Sequence, residues 1–232
     1  MKKLILANWK LNPITIAEAK KLANKIERVT HNTVVLCPPP VLLSSVEYPM
    51  LGSQDCFWQD KGAFTGQISP YQLKKLGVKY CLVGHSEKRA VCDSEEQINA
   101  KIRALLRYNI TPVLCVGYGT EPDEDDLKVT DVIRQQLNMD LEGIDEKKVV
   151  VAYEPVWAIS SGNATHHLVA TSEHAEKIAI FIKSKYKVKT VLYGGSVNYV
   201  NAESFLHQEH IDGLLVGAES LIPGHFNKII NL

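Results

Sequence analysis

One carboxylate, Glu154, directly follows a short apolar run and could act as a base. The run Val149–Tyr153 is apolar or aromatic and holds no turn residue, which is typical of a strand buried on both faces. Pro155 cannot continue a strand ladder, so this strand should end at the carboxylate. The next segment, Val156–Ile159, is apolar for a loop and could shield the base from water. The same pattern also fits a strand-end carboxylate that caps the next helix.

Other short apolar runs also lead into polar, titratable or small residues. These ends are Asn8-Trp9-Lys10, Gly84–Glu87, Cys115, Gly194–Ser196 and Gly217-Ala218. Imidazole, amine and carboxylate groups can move protons and stabilise developing negative charge. Taken alone, His85 also fits a structural histidine and Lys10 a solvated surface lysine. The joint occurrence of Lys10, His85 and Glu154 at strand ends favours a catalytic site.

Eight short apolar runs alternate with helical patterns along the chain, and each run predicts a strand. They are Leu4–Trp9, Thr33–Cys37, Leu51–Gln54, Tyr80–Gly84, Thr111–Gly117, Val149–Tyr153, Thr190–Tyr193 and Gly213–Val216. Crossover connections of this length require a parallel sheet. The 232 residues leave about 29 per unit, which fits a closed (β/α)₈ barrel whose chemistry gathers at the strand ends. A doubly wound open sheet is the alternative, although no Gly-rich fingerprint follows the first strand.

Four helices can be predicted from their apolar stripes. Thr15 with Glu18, and Ser94 with Gln97, have the spacing of capping boxes at two helix starts. A third stripe runs from residue 175 to residue 182, and a fourth helix is predicted over Asp125–Asn138. No linker or low-complexity segment divides the chain, so we expect one barrel domain over residues 1–232.

The composition excludes several classes of protein. Lys plus Arg equals Asp plus Glu at 26 each, so nothing favours nucleic acid or an anionic membrane as a partner. The apolar run Leu4–Ala7 is too short for a signal peptide, and no stretch could span a bilayer. The five cysteines form no C-x-x-C pair and are typical of reduced thiols. We therefore expect a cytoplasmic protein.

Six segments resemble one known family. NWK, GAFTG, VGHSEKR, AYEPVWAI, YGGSV and DGLLVG occur in this order, and together they are similar to the triose-phosphate isomerase family. The resemblance covers the chain from Ala7 to Leu221. The resemblance implies an α/β TIM barrel and the interconversion of dihydroxyacetone phosphate and D-glyceraldehyde 3-phosphate, a step of glycolysis and gluconeogenesis. It implies neither a metal nor an organic cofactor. The alternatives are another phosphosugar barrel enzyme and a catalytically impaired phosphosugar-binding or regulatory barrel protein.

The resemblance also implies catalytic roles. Glu154 matches the family's base, and His85 matches the electrophile that polarises the carbonyl group. Lys10 and Asn8 match groups that contact the substrate oxygens, and Glu87 resembles a carboxylate that pairs with the lysine. A neutral imidazole at a helix start, and a loop that closes over the base, are known properties of the family. Cys115 is given no chemical step.

The phosphate site implied by the resemblance uses backbone N–H groups. Small residues after the seventh and eighth strands let such groups approach an anion. The implied donors are Ser160, Ser196, Gly217 and Ala218. The resemblance further implies a homodimer in which the loop Gly62–Gly66 docks into the partner, with Phe64 and Thr65 in the interface.

Three departures from the family pattern touch function. Ser160 and Asn163 replace a glycine and a lysine of the closing loop, and we expect slower or less complete closure because the backbone loses freedom. Ala218 replaces a second glycine, which costs little only if its φ is negative. Gln67 and Lys88 replace a glutamate and an arginine, which predicts a lost ion pair and a weaker substitute.

Overall fold

The computed structural model describes residues 2–122, 125–158 and 170–232, and these form a closed barrel. Its strands are β1 (Leu4–Asn8), β2 (Thr33–Cys37), β3 (Gly52–Ser53), β4 (Tyr80–Val83), β5 (Thr111–Val116), β6 (Val150–Tyr153), β7 (Thr190–Tyr193) and β8 (Gly213–Val216). They pair in parallel in the order β2-β1-β8-β7-β6-β5-β4-β3. A parallel bridge between Leu36 and Leu51 joins β2 to the start of β3 and closes the sheet. The predicted (β/α)₈ barrel is confirmed, and every strand ends within one residue of its prediction.

Helices connect the strands around the outside of the barrel. They are α1 (Ile16–Lys25), α2 (Pro70–Lys75), α3 (Ser86–Arg89), α4 (Glu95–Arg107), α5 (Asp126–Asp140), α6 (Ser172–Lys185), α7 (Ala202–Leu206) and α8 (Pro223–Ile230). Short 3₁₀ turns cover Pro40–Ser45, Glu146–Lys148, Val156–Ala158 and Ala218–Leu221. Both predicted capping boxes are present, at the starts of α1 and α4.

One predicted helix boundary is wrong. The helix expected over Asp125–Asn138 has Asp125 as its N-cap, and it continues two residues further, to Asp140. The Asp140 side chain is fully buried and lies 2.6 Å from a guanidinium nitrogen of Arg89. This long-range contact stabilises a last turn that local sequence did not indicate.

Two apolar layers hold the barrel together. Side chains that point into the barrel form one cluster, made by Leu4, Leu6, Val35, Cys37, Leu82, Val113, Cys115, Val150, Ala152, Leu192 and Leu215. The opposite faces of the strands pack against helix stripes such as that of α4, where Ile98, Ile102 and Leu105 are fully buried. Each such side chain contributes about 1.5–3 kcal/mol through burial. The strands therefore form a rigid frame whose carboxyl ends face one rim.

All five cysteines are free thiols, and Cys37, Cys81 and Cys115 are buried as predicted. Burial raises the pKa of Cys37 to about 12. Among the described residues, no helix is both long enough and apolar enough to cross a membrane.

Candidate active site

The polar strand ends surround a cavity of about 490 Å³ at the carboxyl rim of the barrel. Predicted site residues that line it are Asn8, Lys10, His85, Glu154, Ser196, Gly217 and Ala218. They follow β1, β4, β6, β7 and β8, so residues far apart in sequence meet because parallel strands end at one rim. Ser160 and Asn163 lie outside the described residues.

Glu154 and His85 form the buried centre of this cavity. Oε1 of Glu154 lies 3.2 Å from Nε2 of His85, and the carboxylate residue is only 2% exposed. The backbone N–H of Glu154 donates to the Val116 carbonyl at 2.8 Å, which continues the β5–β6 pairing and fixes where the side chain begins. A Cβ on Gly194 would lie 2.9 Å from Cγ of Glu154. Glycine is therefore needed here to leave room for the carboxylate.

The start of α3 decides which nitrogen of His85 carries its proton. His85 is the N-cap of this one-turn helix, and the backbone N–H of Glu87 donates to its Nδ1 at 3.2 Å. A nitrogen that accepts a hydrogen bond carries no proton, so the proton of a neutral ring lies on Nε2. That N–H group faces Glu154 and the cavity. The imidazole is thus arranged as a hydrogen-bond donor to the cavity.

Lys10 is held by its backbone at the rim of the cavity. Its φ of 52° lies in the left-handed region, which few residues other than glycine adopt. The Lys10 N–H donates to Oδ1 of Asn8 at 3.1 Å, and its carbonyl accepts from Nε2 of Gln54 at 2.7 Å. Its Nζ lies 2.8 Å from Oε1 of Glu87. Asn8 and Gln54 therefore offset the backbone strain and aim the ammonium group.

The segments after β7 and β8 differ in how their N–H groups are used. Ala218 begins the 3₁₀ turn Ala218–Leu221 and does not have a positive φ, so alanine in place of glycine costs little here. The Ser196 N–H, by contrast, donates to the Ala158 carbonyl at 2.7 Å. This donor can reach an anion only after the turn Val156–Ala158 has moved away. The sequence did not indicate that bond, because its partners lie far apart in the chain.

Comparison with known proteins gives one consistent result. A model of the triosephosphate isomerase family matches residues 3–232. The triosephosphate isomerase of Alkaliphilus metalliredigens strain QYMF is 38% identical over 99% of both chains. That of Aquifex aeolicus strain VF5 is 39% identical over 99% of both, and that of Synechococcus sp. strain RCC307 is 39% identical over 98% of this chain and 93% of its own.

The chain belongs to the triosephosphate isomerase family. In this member of the family, a second cavity of about 320 Å³ adjoins the first and is lined by Lys10, Gln67, Glu87 and Lys88, among others. Glu87 lines this second cavity and not the first. Nearby, the loop Gly62–Gly66 is exposed.

Lys88 has an ion-pair partner that the sequence did not identify. Lys88 lies 3.0 Å from Asp55, and the buried Lys101 contacts Asp55 at 2.7 Å and Asp93 at 2.8 Å. Burial lowers the pKa of Lys88, but its hydrogen bond to Asp55 and the charge of that carboxylate outweigh burial and raise the pKa above its ordinary value. Asp55 lies in a different segment from both Gln67 and Lys88, so comparing those two residues with the family pattern could not identify it as the partner of Lys88.

The sequence did not identify two further residues that lie next to the site, Arg89 and Asp140. Arg89 ends the one-turn helix α3 and is 3% exposed, and its partner Asp140 is fully buried at the end of α5. A buried guanidinium group requires a counter-charge and hydrogen-bond acceptors, and Glu95 and Asp140 together supply them. Arg89 could have been noticed in the sequence, because it lies four residues after His85. Asp140 could not, because it lies beyond the predicted end of its helix.

Proposed function

We propose that the chain is an intramolecular aldose–ketose isomerase that interconverts dihydroxyacetone phosphate and D-glyceraldehyde 3-phosphate, in glycolysis and gluconeogenesis. One observation carries the proposal: a buried carboxylate, Glu154, lies 3.2 Å from Nε2 of His85, with the ammonium group of Lys10 on the same cavity. A base, an electrophile and a cation are the groups that this proton transfer needs. The same arrangement is known for the family.

The reaction then follows from the two buried side chains. Glu154 removes a proton from the carbon next to the carbonyl group, while the Nε2–H of His85 donates a hydrogen bond to the carbonyl oxygen. The electron pair of the broken C–H bond forms the C=C bond of an enediolate, whose negative oxygen Lys10 and Asn8 stabilise. His85 moves a proton between the two oxygens, and Glu154 returns its proton to the neighbouring carbon. No atom is lost, so the product is an isomer.

Phosphate binding is assigned to backbone N–H groups. Gly217 and Ala218 precede and begin a 3₁₀ turn, and N–H groups at such a turn point towards an anion. We assign Ser196 to the same site once its bond to Ala158 is released, and Ser160 by resemblance. Because that release requires the turn Val156–Ala158 to move, phosphate binding and coverage of Glu154 would be coupled.

Isomerisation in deuterium oxide tests the proposed function. Pure D-glyceraldehyde 3-phosphate is incubated with the protein, and the product is analysed by NMR. We expect dihydroxyacetone phosphate with deuterium on the carbon that receives the proton, because a base-bound proton exchanges with solvent. Glu154→Gln should abolish both the product and the label, whereas Glu47→Gln, at an exposed position, should change neither. A wild type that binds triose phosphate without forming product would instead support the impaired binding protein.

Assembly and location belong to the same proposal. The second cavity lies beside Lys10 and Glu87, and we assign it to the loop Gly62–Gly66 of a second copy, as in the family. Phe64 is 42% exposed at the tip of that loop, and a partner would cover it. Two equivalent loops and cavities make an isologous homodimer. Triose phosphates as substrates and five free thiols support a cytoplasmic enzyme with neither nucleic acid nor membrane as a partner.

A further inference from the structure

The buried guanidinium of Arg89 joins the backbone that carries His85 to β5, the strand that pairs with the one leading to Glu154. Its Nε donates to the Gly84 carbonyl at 2.8 Å, immediately before His85. One of its terminal nitrogens donates to the Cys115 carbonyl at 3.1 Å. Cys115 pairs with Ala152 of β6, two residues before Glu154. A single planar group therefore holds the end of β4 and the end of β5 together next to the reacting groups.

Asp140 orients that guanidinium from the end of α5. Its Oδ2 accepts from the same Arg89 nitrogen at 2.6 Å, and the side chain is fully buried. Glu95, at the start of α4, accepts from the other terminal nitrogen at 2.5 Å. Oδ1 of Asp140 has no N–H or O–H donor among the described residues, yet the Glu95 carboxylate lies within hydrogen-bond contact. A proton on Asp140 would allow an O–H···O bond between the two carboxyl groups.

The charges around Asp140 favour that proton. The cluster holds two carboxyl groups and one cation, so one negative charge is in excess if both carboxyl groups are ionised. Burial is the largest cause that raises the pKa of Asp140, to about 8; the hydrogen bond to Glu95 adds to it, and the charge of Arg89 opposes it. Two uncharged groups of the described residues also lie here: β5 contributes the Cys115 carbonyl, and Asn99 of α4 donates to the Asp140 backbone oxygen.

We propose that Arg89 is a positioning residue for His85 and Glu154, and that protonated Asp140 holds its guanidinium in the required orientation. The proposal rests on the function proposed above and adds the residues that set its geometry. Neither side chain lines the substrate cavity, so both act through the backbone. Loss of the Asp140 proton leaves two carboxylates around one guanidinium, and their repulsion pushes Glu95 towards solvent and loosens the start of α4 next to Arg89.

Three variants separate this role from general stability. Asp140→Asn keeps an acceptor for Arg89 and a donor for Glu95 at every pH, so it copies the protonated acid. Asp140→Leu has a similar size and offers neither. Asp131→Leu makes the same change at an exposed residue of α5 and is the matched control. For each protein, kcat and KM for triose phosphate are measured from pH 6 to pH 9.5, and the imidazole nitrogens of His85 are followed by NMR.

We expect kcat of Asp140→Leu to fall by about 10- to 100-fold, because catalysis is sensitive to displacements of about 1 Å. KM should change by less than about threefold, because the phosphate contacts are made by the other side of the barrel. In the wild type, kcat and the His85 signals should change together near pH 8, and Asp140→Asn should restore kcat while removing that change. Asp131→Leu should behave as the wild type.

The inference is overturned if Asp140→Leu retains the wild-type kcat and His85 signals, or if Asp140→Asn loses as much activity as Asp140→Leu. If Asp140→Leu does not fold, Arg89→Lys is measured instead, because a lysine keeps the positive charge but cannot contact the Gly84 and Cys115 carbonyls together. A wild-type kcat in Arg89→Lys would also overturn the inference. The NMR signals do not depend on turnover. A wild type without isomerase activity whose His85 signals still follow Asp140 would contradict the proposed function alone.

Discussion

At the scale of single residues, one backbone hydrogen bond sets the chemistry available to His85. The Glu87 N–H occupies Nδ1, so only Nε2–H can act on a substrate oxygen. Glu154 lies at that same nitrogen, so the acid and the base face the same part of the cavity. Loss of His85 should therefore lower kcat more than it weakens substrate binding.

Replacing His85 by glutamine tests this directly. The amide can still donate one hydrogen bond, but it cannot release and retake a proton between the two oxygens of the enediolate. We expect kcat to fall by about 100-fold or more with a small change in KM, as for the loss of one general acid–base group. His207→Gln, at an exposed histidine, is the control in the same steady-state assay. Equal kcat values for the two variants would contradict the role of His85.

Sequence alone predicted the residues of this site better than the contacts between them. Lys10, His85 and Glu154 could be singled out because each follows an apolar run, and the ends of parallel strands share a rim. The left-handed backbone of Lys10 could not be predicted, because it depends on Gln54 from a different strand end. The bond between Ser196 and Ala158 was missed for the same reason: it joins loops that meet only in the folded barrel.

At the scale of elements, the turn between β4 and α3 carries His85 and depends on Gly84. Its φ is 66°, and a Cβ at this position would lie 2.9 Å from a terminal nitrogen of Arg89 and 3.1 Å from Ile98. Glycine thus allows both the left-handed turn and the approach of the guanidinium. Such a turn is stiff, because any larger residue meets a helix on one side and a buried ion pair on the other.

We expect Gly84→Ala to lower the free energy of unfolding by more than about 1 kcal/mol. Gly224→Ala is the matched control: Gly224 lies in α8, its φ is not positive, and an added Cβ would meet nothing within 4 Å. That substitution should be neutral or stabilising by up to about 1 kcal/mol. Urea unfolding followed by circular dichroism measures both. If Gly84→Ala proves as stable as Gly224→Ala, the turn is not constrained as described.

Elements were predictable where local sequence decides them. The capping boxes of α1 and α4 follow from pairs of residues three apart in the sequence. The strand limits follow from the lengths of the apolar runs. The end of α5 does not, because Asp140 is held by Arg89, which precedes it by 51 residues. The ion-pair partner of Lys88, Asp55, is likewise a residue that no local pattern distinguishes.

At the scale of the whole molecule, Asp140 links the stability of the fold to pH. The pKa of its carboxyl group is raised from 3.8 to about 8, mainly by burial. Between these values the folded protein retains a proton that the unfolded chain releases. Its contribution to the free energy of unfolding is therefore fully present below about pH 4 and is lost as pH rises through about 8.

We expect the wild type to lose stability relative to Asp140→Asn as pH rises from 5 to 8, by at most about 1.4 kcal/mol per pH unit. The asparagine variant does not titrate there, so subtracting its unfolding free energies isolates this one group. Urea unfolding at each pH is the measurement. A difference that stays constant, or that grows in favour of the wild type with rising pH, would show that Asp140 is ionised in the folded protein.

Assembly is the other property of the whole molecule that can be tested. The net charge of the chain is zero, so no overall repulsion opposes a dimer. We expect a mass of about twice 25.9 kDa by light scattering after gel filtration, as for an isologous pair. Thr65→Arg should give a monomer with reduced kcat, because it places a charge at the tip of the loop Gly62–Gly66. Thr30→Arg, at another exposed threonine, should remain dimeric, and a monomeric wild type would contradict the assembly.

The role of Glu154 as the base of a triose-phosphate isomerisation can be tested by one steady-state experiment. The rate with D-glyceraldehyde 3-phosphate is measured for the wild type beside Glu154→Asp. We expect fast wild-type turnover and a kcat lower by about 100-fold in the variant, with a much smaller change in KM, because the shorter side chain withdraws the carboxylate by about one bond length. An unchanged kcat in Glu154→Asp would show that Glu154 is not the base.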